Sequence, residues 1–208
     1  DTAASYYGLE AVHAALTSDC PRARTAAHQA IALDHSEVTV PNAALGLAFC
    51  GESGLALQEM ERLAAAEPTN TLVNDVYMPQ VKSAIALGEH HPQQVSDLLT
   101  SAAPYLLASK APELLCLASL ASDQWRQAVA DFAPGLRYRG ANLQEGAVGI
   151  PQAPDYPLCL LGTARAQSHF DKAAALQSYQ KLLDIWKNAD PDFVPAKEAR
   201  REMAALQH

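Results

Sequence analysis

The chain has 208 residues, 23 acidic against 15 basic side chains and a net charge of −8. It is 49% hydrophobic but only 6% aromatic, with alanine and leucine supplying most of the apolar content. That balance argues against nucleic-acid binding, which needs clustered Lys and Arg. The lack of any 18-residue apolar run argues against a membrane span.

Helices are predicted throughout. The longest β-branched run, Glu37-Val38-Thr39-Val40, stops at Pro41. The spacing predicts a first helix pair over 3–33, from about Ala3 to Leu16 and Pro21 to Leu33. Ser18 or Asp19 caps its second helix, and Pro21 stands in the first turn, where a missing N–H costs nothing. A second pair covers 41–66, turned at Gly51 and closed by Glu67-Pro68. A third covers 69–102, with Pro79 kinking its first helix or delaying its start, Gly88 ending it, and a partner at 92–102. A fourth covers 112–132 and ends at Pro134-Gly135. Residues 134–157 carry eight Pro and Gly and break the rhythm, as a long loop or a short irregular excursion. The fifth pair is 157–186. A capping helix at 195–206 presents Lys197, Glu198, Arg200, Arg201 and Glu202 on the polar outer face that a terminal unit needs.

The second helices share a register. Ala23, Ala56, Val95, Ala128 and Ala175 are each followed four residues on by Ala27, Met60, Leu99, Phe132 and Tyr179. Three further on come Ala30, Leu63, Ala102, Gly135 and Leu182. A period of this size marks a helical-repeat array, in which one pair cannot bury its own apolar face and its neighbours must stack on it. Residues 1–208 therefore read as one all-α domain.

No motif supports catalysis. Gly51-Glu52-Ser53-Gly54 lacks the second glycine of G-x-S-x-G and follows a helix, so it reads as an interhelix turn. His90-His91 point in different directions and have no third ligand nearby, so no metal site is assigned. Gly140, Gly146 and Gly149 are wrongly spaced for a phosphate cradle, so no cofactor is assigned. Asp190-Pro191-Asp192 is a helix-start signal. Trp125, Trp186, Tyr179 and Phe132 fall at helical spacing and read as interhelix core. Cys20, Cys50, Cys116 and Cys159 lie in or beside apolar helical stretches with no C-x-x-C, so buried thiols are expected.

The register resembles the tetratricopeptide repeat, most closely at Ala56-Met60-Leu63 with Gly51 between helices and Pro68 closing the unit. Ala23-Ala27-Ala30 and Ala175-Tyr179-Leu182 match as well. Val95 and Gly135 depart from the pattern, so the repeats are degenerate. The resemblance implies a right-handed α-α superhelix of about five pairs plus the cap. Four further stretches are Thr69–Val73, Leu98-Leu99 to Ala103-Pro104-Tyr105, Leu161–Ala166 and Tyr179–Asp192. Together they are similar to the C-terminal repeat region of bacterial receptor-like serine/threonine protein kinases, and to the same region behind winged-helix DNA-binding domains. That resemblance implies a sensor or scaffold part and no enzyme activity, because no Gly-rich kinase loop, H-R-D or D-F-G occurs here.

By analogy with the repeat family, the first helices line a groove for a protein or peptide ligand. The matching positions are Ser5, Val12, Asn42, Leu45, Tyr77, Gln80, Ala84, Glu113 and Leu117. A carboxylate clamp is not expected, since Asn42 has no basic companions. A second reading makes the region a structural or dimerising element that docks a second copy through 134–157. A third places a small-molecule pocket around Tyr138, Tyr156 and Trp125. A kinase-type parent implies a position outside the membrane and a winged-helix parent a cytoplasmic one, and four thiols lean to the second.

Overall fold

The structure, a computed structural model, describes residues 2–108, 111–137 and 155–208. The described residues contain eleven α-helices and no strand. In chain order they are α1 (Thr2–Leu16), α2 (Cys20–Leu33), α3 (Val40–Phe49), α4 (Ser53–Ala66), α5 (Met78–Gly88) and α6 (Val95–Leu98). Then follow α7 (Ala111–Ala121), α8 (Trp125–Arg137), α9 (Asp155–Gln167), α10 (Lys172–Ile185) and α11 (Val194–Gln207).

The helix ends follow from named residues. Asp19 caps α2, its Oδ1 accepting the Arg22 N–H at 3.2 Å, after Ser18 turns the chain with a left-handed φ of 68°. Gly51 makes the α3–α4 turn at φ 81°, which a side chain would resist. Asp171 caps α10 by accepting the Ala174 N–H at 3.0 Å. Prolines stand in the opening turns of α2, α3 and α11, where no N–H is required.

The third pair differs from the expected shape. A turn of π-helix, Leu72–Tyr77, runs directly into α5. Pro79 has no N–H to offer the Asp75 carbonyl four residues back, and Ser101 Oγ donates to that oxygen at 2.7 Å instead. The expected helix at 92–102 is broken into a 3₁₀ turn at Pro92–Gln94, the single turn α6 and a further 3₁₀ segment, Ala103–Ala108. Pro104 removes the N–H that a continuing helix would have donated to the Thr100 carbonyl. In the fourth pair α8 continues through Pro134-Gly135 to Arg137. A proline this close to a helix end forfeits only one backbone bond. Residues 138–154, most of the expected insertion, lie outside the described residues, as does Tyr138.

Packing alternates along the chain. Each odd-numbered helix from α1 to α9 packs on its even-numbered partner, and α1, α3, α5 and α7 also pack on the next odd-numbered helix, while α2, α4, α6, α8 and α10 each pack on the helix that follows. The shared register explains why this works. Ala23, Ala27, Ala30, Ala56, Met60, Leu63, Val95, Leu99, Ala102, Ala128, Phe132, Ala175, Tyr179 and Leu182 are all buried. Small residues also permit close approaches between helices. A Cβ on Gly46 of α3 would stand 2.8 Å from the Ala11 carbonyl carbon of α1. The Phe132 ring of α8 lies directly over Gly162 of α9.

The cysteines are not all thiols. Cys20 and Cys50 form a disulfide with a Cα–Cα distance of 5.4 Å. Their separation of 30 residues gives no local spacing to read. They meet because α3 packs on both α1 and α2, which brings the α1–α2 turn beside the end of α3. Cys116 and Cys159 are buried thiols in one apolar cluster with Phe132, Ala128 and Ala166.

Candidate functional site

A cleft of about 960 Å³ lies between α1 and the α10–α11 connection. One wall is a single stripe of α1, with Tyr6, Leu9, Glu10, His13 and Thr17 at the three- and four-residue steps that share a helix face. That wall continues over Ser18, Asp19 and Arg22. The other wall is Pro157 and Leu158 at the start of α9, with Trp186, Asp190, Asp192, Phe193 and Val194 around the α10–α11 connection.

Both walls are braced locally. Arg22 Nε donates to Glu10 Oε1 at 2.7 Å, tying α2 to α1. In the α10–α11 connection, Asp190 Oδ1 accepts the Asp192 N–H at 2.9 Å and the Asp190 carbonyl accepts the Phe193 N–H at 3.0 Å. This turn lays the Phe193 ring edge-on to Trp186, with centroids 5.2 Å apart at 86°. Four carboxylates line the cleft, Glu10, Asp19, Asp190 and Asp192, against one guanidinium, Arg22. Tyr6 is 50% and Val194 39% exposed, so each wall also shows an apolar side chain to the cleft.

A second cleft, about 670 Å³, lies across α7, α9 and α11 and is edged by Trp125 and Tyr179. Trp125 and His169 stack face to face, 3.7 Å apart at 4°. Below them Arg165 reaches both Glu198 and Glu202, with Nη2 2.7 Å from Glu198 Oε2 and 2.8 Å from Glu202 Oε1. Partial burial works against the Arg165 charge, but the Glu202 and Glu198 hydrogen bonds outweigh it and raise its pKa above the ordinary value. Tyr179 Oη donates to Glu202 Oε2 at 2.9 Å. Burial, then that bond and the Glu202 charge, push the phenol above its usual range, so it stays a donor at neutral pH.

The sequence-derived groove positions distribute unevenly. Ser5, Val12, Leu45, Gln80 and Ala84 are buried between helices. Asn42, Tyr77, Glu113 and Leu117 are part-exposed, and of the nine only Leu117 lines either of the two clefts. Burial, and then the Glu37 charge, raise the Tyr77 pKa. On α1 the face turned to the cleft lies one residue beyond Ser5 and Val12, at Tyr6 and His13, about 100° around the helix. Nothing in local spacing marks the opposite wall, which is more than 130 residues away in sequence. Phe132, Tyr179 and Trp186 are core residues, while Trp125 is part-buried against the Phe132 cluster and edges the second cleft. Gly51–Gly54 is the α3–α4 turn and helix start.

Among the described residues no three His, Cys, Asp or Glu side chains are grouped to hold a metal ion, and no helix is long and apolar enough to cross a membrane. Compared with protein-family models, curated proteins and solved structures, the chain matches none.

Proposed function

We propose that this chain is a non-catalytic binding module, a tetratricopeptide-like right-handed superhelix that holds a protein or peptide segment in the cleft between α1 and the α10–α11 connection. One observation carries the reading. The α1 stripe from Tyr6 to Thr17 forms a continuous wall facing a second wall of different composition across about 960 Å³. At 1.5 Å per helical residue that wall is roughly 16 Å long, the span of about five extended residues. Its carboxylates, guanidinium and aromatic edges are groups that position a bound chain.

The disulfide supports one parent over the other. Cys20–Cys50 suits an oxidising compartment, and so favours the extracytoplasmic part of a receptor-like kinase over the cytoplasmic half of a winged-helix regulator.

The test is selection of linear peptides from a displayed random library on the intact chain. Selected peptides are then measured against Tyr6→Ala with Leu9→Asp, and against Leu117→Arg with His169→Ala. The expected result is a loss of affinity of at least about tenfold from the α1 pair alone. Loss only from the Leu117–His169 pair moves the site to the second cleft. No selected peptide, or equal affinity for all variants, overturns the reading.

A further inference from the structure

We infer that the occupant of the α1/α10–α11 cleft is a positively charged extended segment in which Lys or Arg alternates with apolar side chains. The inference rests on the reading above and specifies the chemistry of its ligand. The charge in the cleft is one-sided, with four carboxylates facing a single guanidinium. That guanidinium is already engaged, since Arg22 Nε lies 2.7 Å from Glu10 Oε1. Asp19 directs one oxygen to the α2 N-terminus, and Asp190 directs one to the Asp192 N–H, so both side chains are held in place by local structure. Asp192 is 95% exposed and pairs with Lys197 at 3.6 Å, an exposed contact of the kind that contributes little and that a bound cation can replace.

The walls repeat the same pair of features. The α1–α2 wall has Glu10 and Asp19 with the half-exposed Tyr6, and the α10–α11 wall has Asp190 and Asp192 with the exposed Val194. An extended chain points successive side chains to opposite sides. A segment of alternating character therefore offers each wall either cations or apolar groups according to register, and finds a carboxylate pair and an apolar seat on both. An acidic segment, a free C-terminal carboxylate or a nucleic-acid backbone meets like charge on both walls. The surrounding field acts in the same direction, with residues 1–104 holding 12 acidic and 4 basic side chains.

The experiment uses fluorescence anisotropy on the intact chain with two labelled peptides of about eight residues. One alternates Lys or Arg with Val, Tyr and Leu, and the other has Glu at every cationic place. Asp190→Asn with Asp192→Asn removes two cleft charges while keeping the Asx acceptor of the turn. Glu61→Gln with Asp97→Asn removes the same charge from exposed positions on α4 and α6. The cationic peptide is expected to bind at least about tenfold more tightly than its Glu counterpart. The cleft pair should weaken it about fivefold at low salt and the control pair less than about twofold, the difference shrinking at high salt.

Equal binding of both peptides, or equal effects of the two variant pairs, overturns the inference, the second outcome showing only a net-charge effect. Library peptides that are acidic or neutral yet depend on Tyr6 and Leu9 would refute the charge class and leave the cleft assignment standing. Indifference of every peptide to Tyr6→Ala with Leu9→Asp removes both.

Discussion

Arg165 on α9 and Glu202 on α11 meet as a fork, with Nε 3.2 and 3.0 Å from the two carboxylate oxygens and Nη2 2.8 Å from Oε1. The same carboxylate accepts the Tyr179 hydroxyl of α10, so one glutamate joins three helices. This matters because α11 fully buries only the small residues Pro195, Ala196 and Ala199, with Met203 and Leu206 part-buried against the same core, so the fork adds to a modest apolar contact. Glu202→Ala leaves Arg165 with Glu198 alone and takes the acceptor from the buried Tyr179 hydroxyl, and should cost about 2 kcal/mol. Urea unfolding measures the loss, and hydrogen exchange should show protection falling first across 194–207. Lys197→Ala, which removes an exposed pair at 3.6 Å, should leave the urea midpoint unchanged. Equal shifts for the two variants would mean that the fork contributes no more than a surface pair.

Two glycines should respond with opposite sign. A Cβ at Gly46 meets the Ala11 carbonyl carbon and oxygen at 2.8 and 2.9 Å, backbone atoms that have no rotamer to change. Gly46→Ala must push α1 and α3 apart and should destabilise by about 1–3 kcal/mol. Gly54 lies in the first turn of α4, and a methyl group there would have nothing within 4 Å. Gly54→Ala should therefore stabilise by about 0.5–1 kcal/mol through the unfolded chain. Paired urea curves decide it, and shifts of the same sign would refute the close approach of α1 and α3.

How far the sequence discloses this molecule follows from where its constraints are local. The second-helix register is visible because the buried positions of a tight helix pair must be small or shape-matched, and Ala23, Ala56, Ala128 and Ala175 record that in residue type. Helix ends are visible because Asp19, Gly51, Asp171 and the first-turn prolines act on their own neighbours. The broken partner at 92–108 is harder to see, because only four residues, Val95–Leu98, keep α-helical form between its 3₁₀ segments, whereas Pro92 and Pro104 allow a longer helix on paper. The disulfide and the main cleft are invisible for a different reason. Each is made by segments that meet only after the helices pack, Cys20 with Cys50 and Tyr6 with Val194. Leu117 is within reach of family analogy because it lies on a first helix, but Trp125 and His169, stacked beside it, belong to helix junctions.

Thiol counting tests the cysteine assignment directly. Burial, then the neighbouring Cys159 and the Glu113 and Asp131 charges, push the Cys116 thiol far above its usual pKa. Its reactive thiolate is therefore scarce at pH 8 as well as shielded. A thiol reagent should find almost nothing in the folded protein, two groups after denaturation and four after denaturation with reductant. Four groups without reductant would exclude the disulfide. Cys20→Ala with Cys50→Ala should lower stability by about 2–4 kcal/mol, since the bridge closes a loop of 30 residues in the unfolded chain.

Acid stability should report on the α2–α3 junction. Asp34 ends α2, and its Oδ2 accepts the Ser36 hydroxyl at 2.5 Å and the Thr39 hydroxyl at 2.6 Å, with Thr39 fully buried at the start of α3. These two bonds, that from Ser36 foremost, hold the Asp34 pKa below its ordinary 3.8. A carboxyl with a depressed folded pKa contributes stability that is complete above the unfolded value and disappears as pH falls through the folded one. The gap in urea midpoint between the native chain and Asp34→Asn should therefore stay constant from about pH 7 to about pH 5 and narrow only below 3.8. Ser36→Ala removes the larger of the two donors, so it should reduce the gap and move its closure toward higher pH. A gap that is unchanged down to about pH 2, or that has already closed at about pH 5, would show that this carboxylate is not held by the junction.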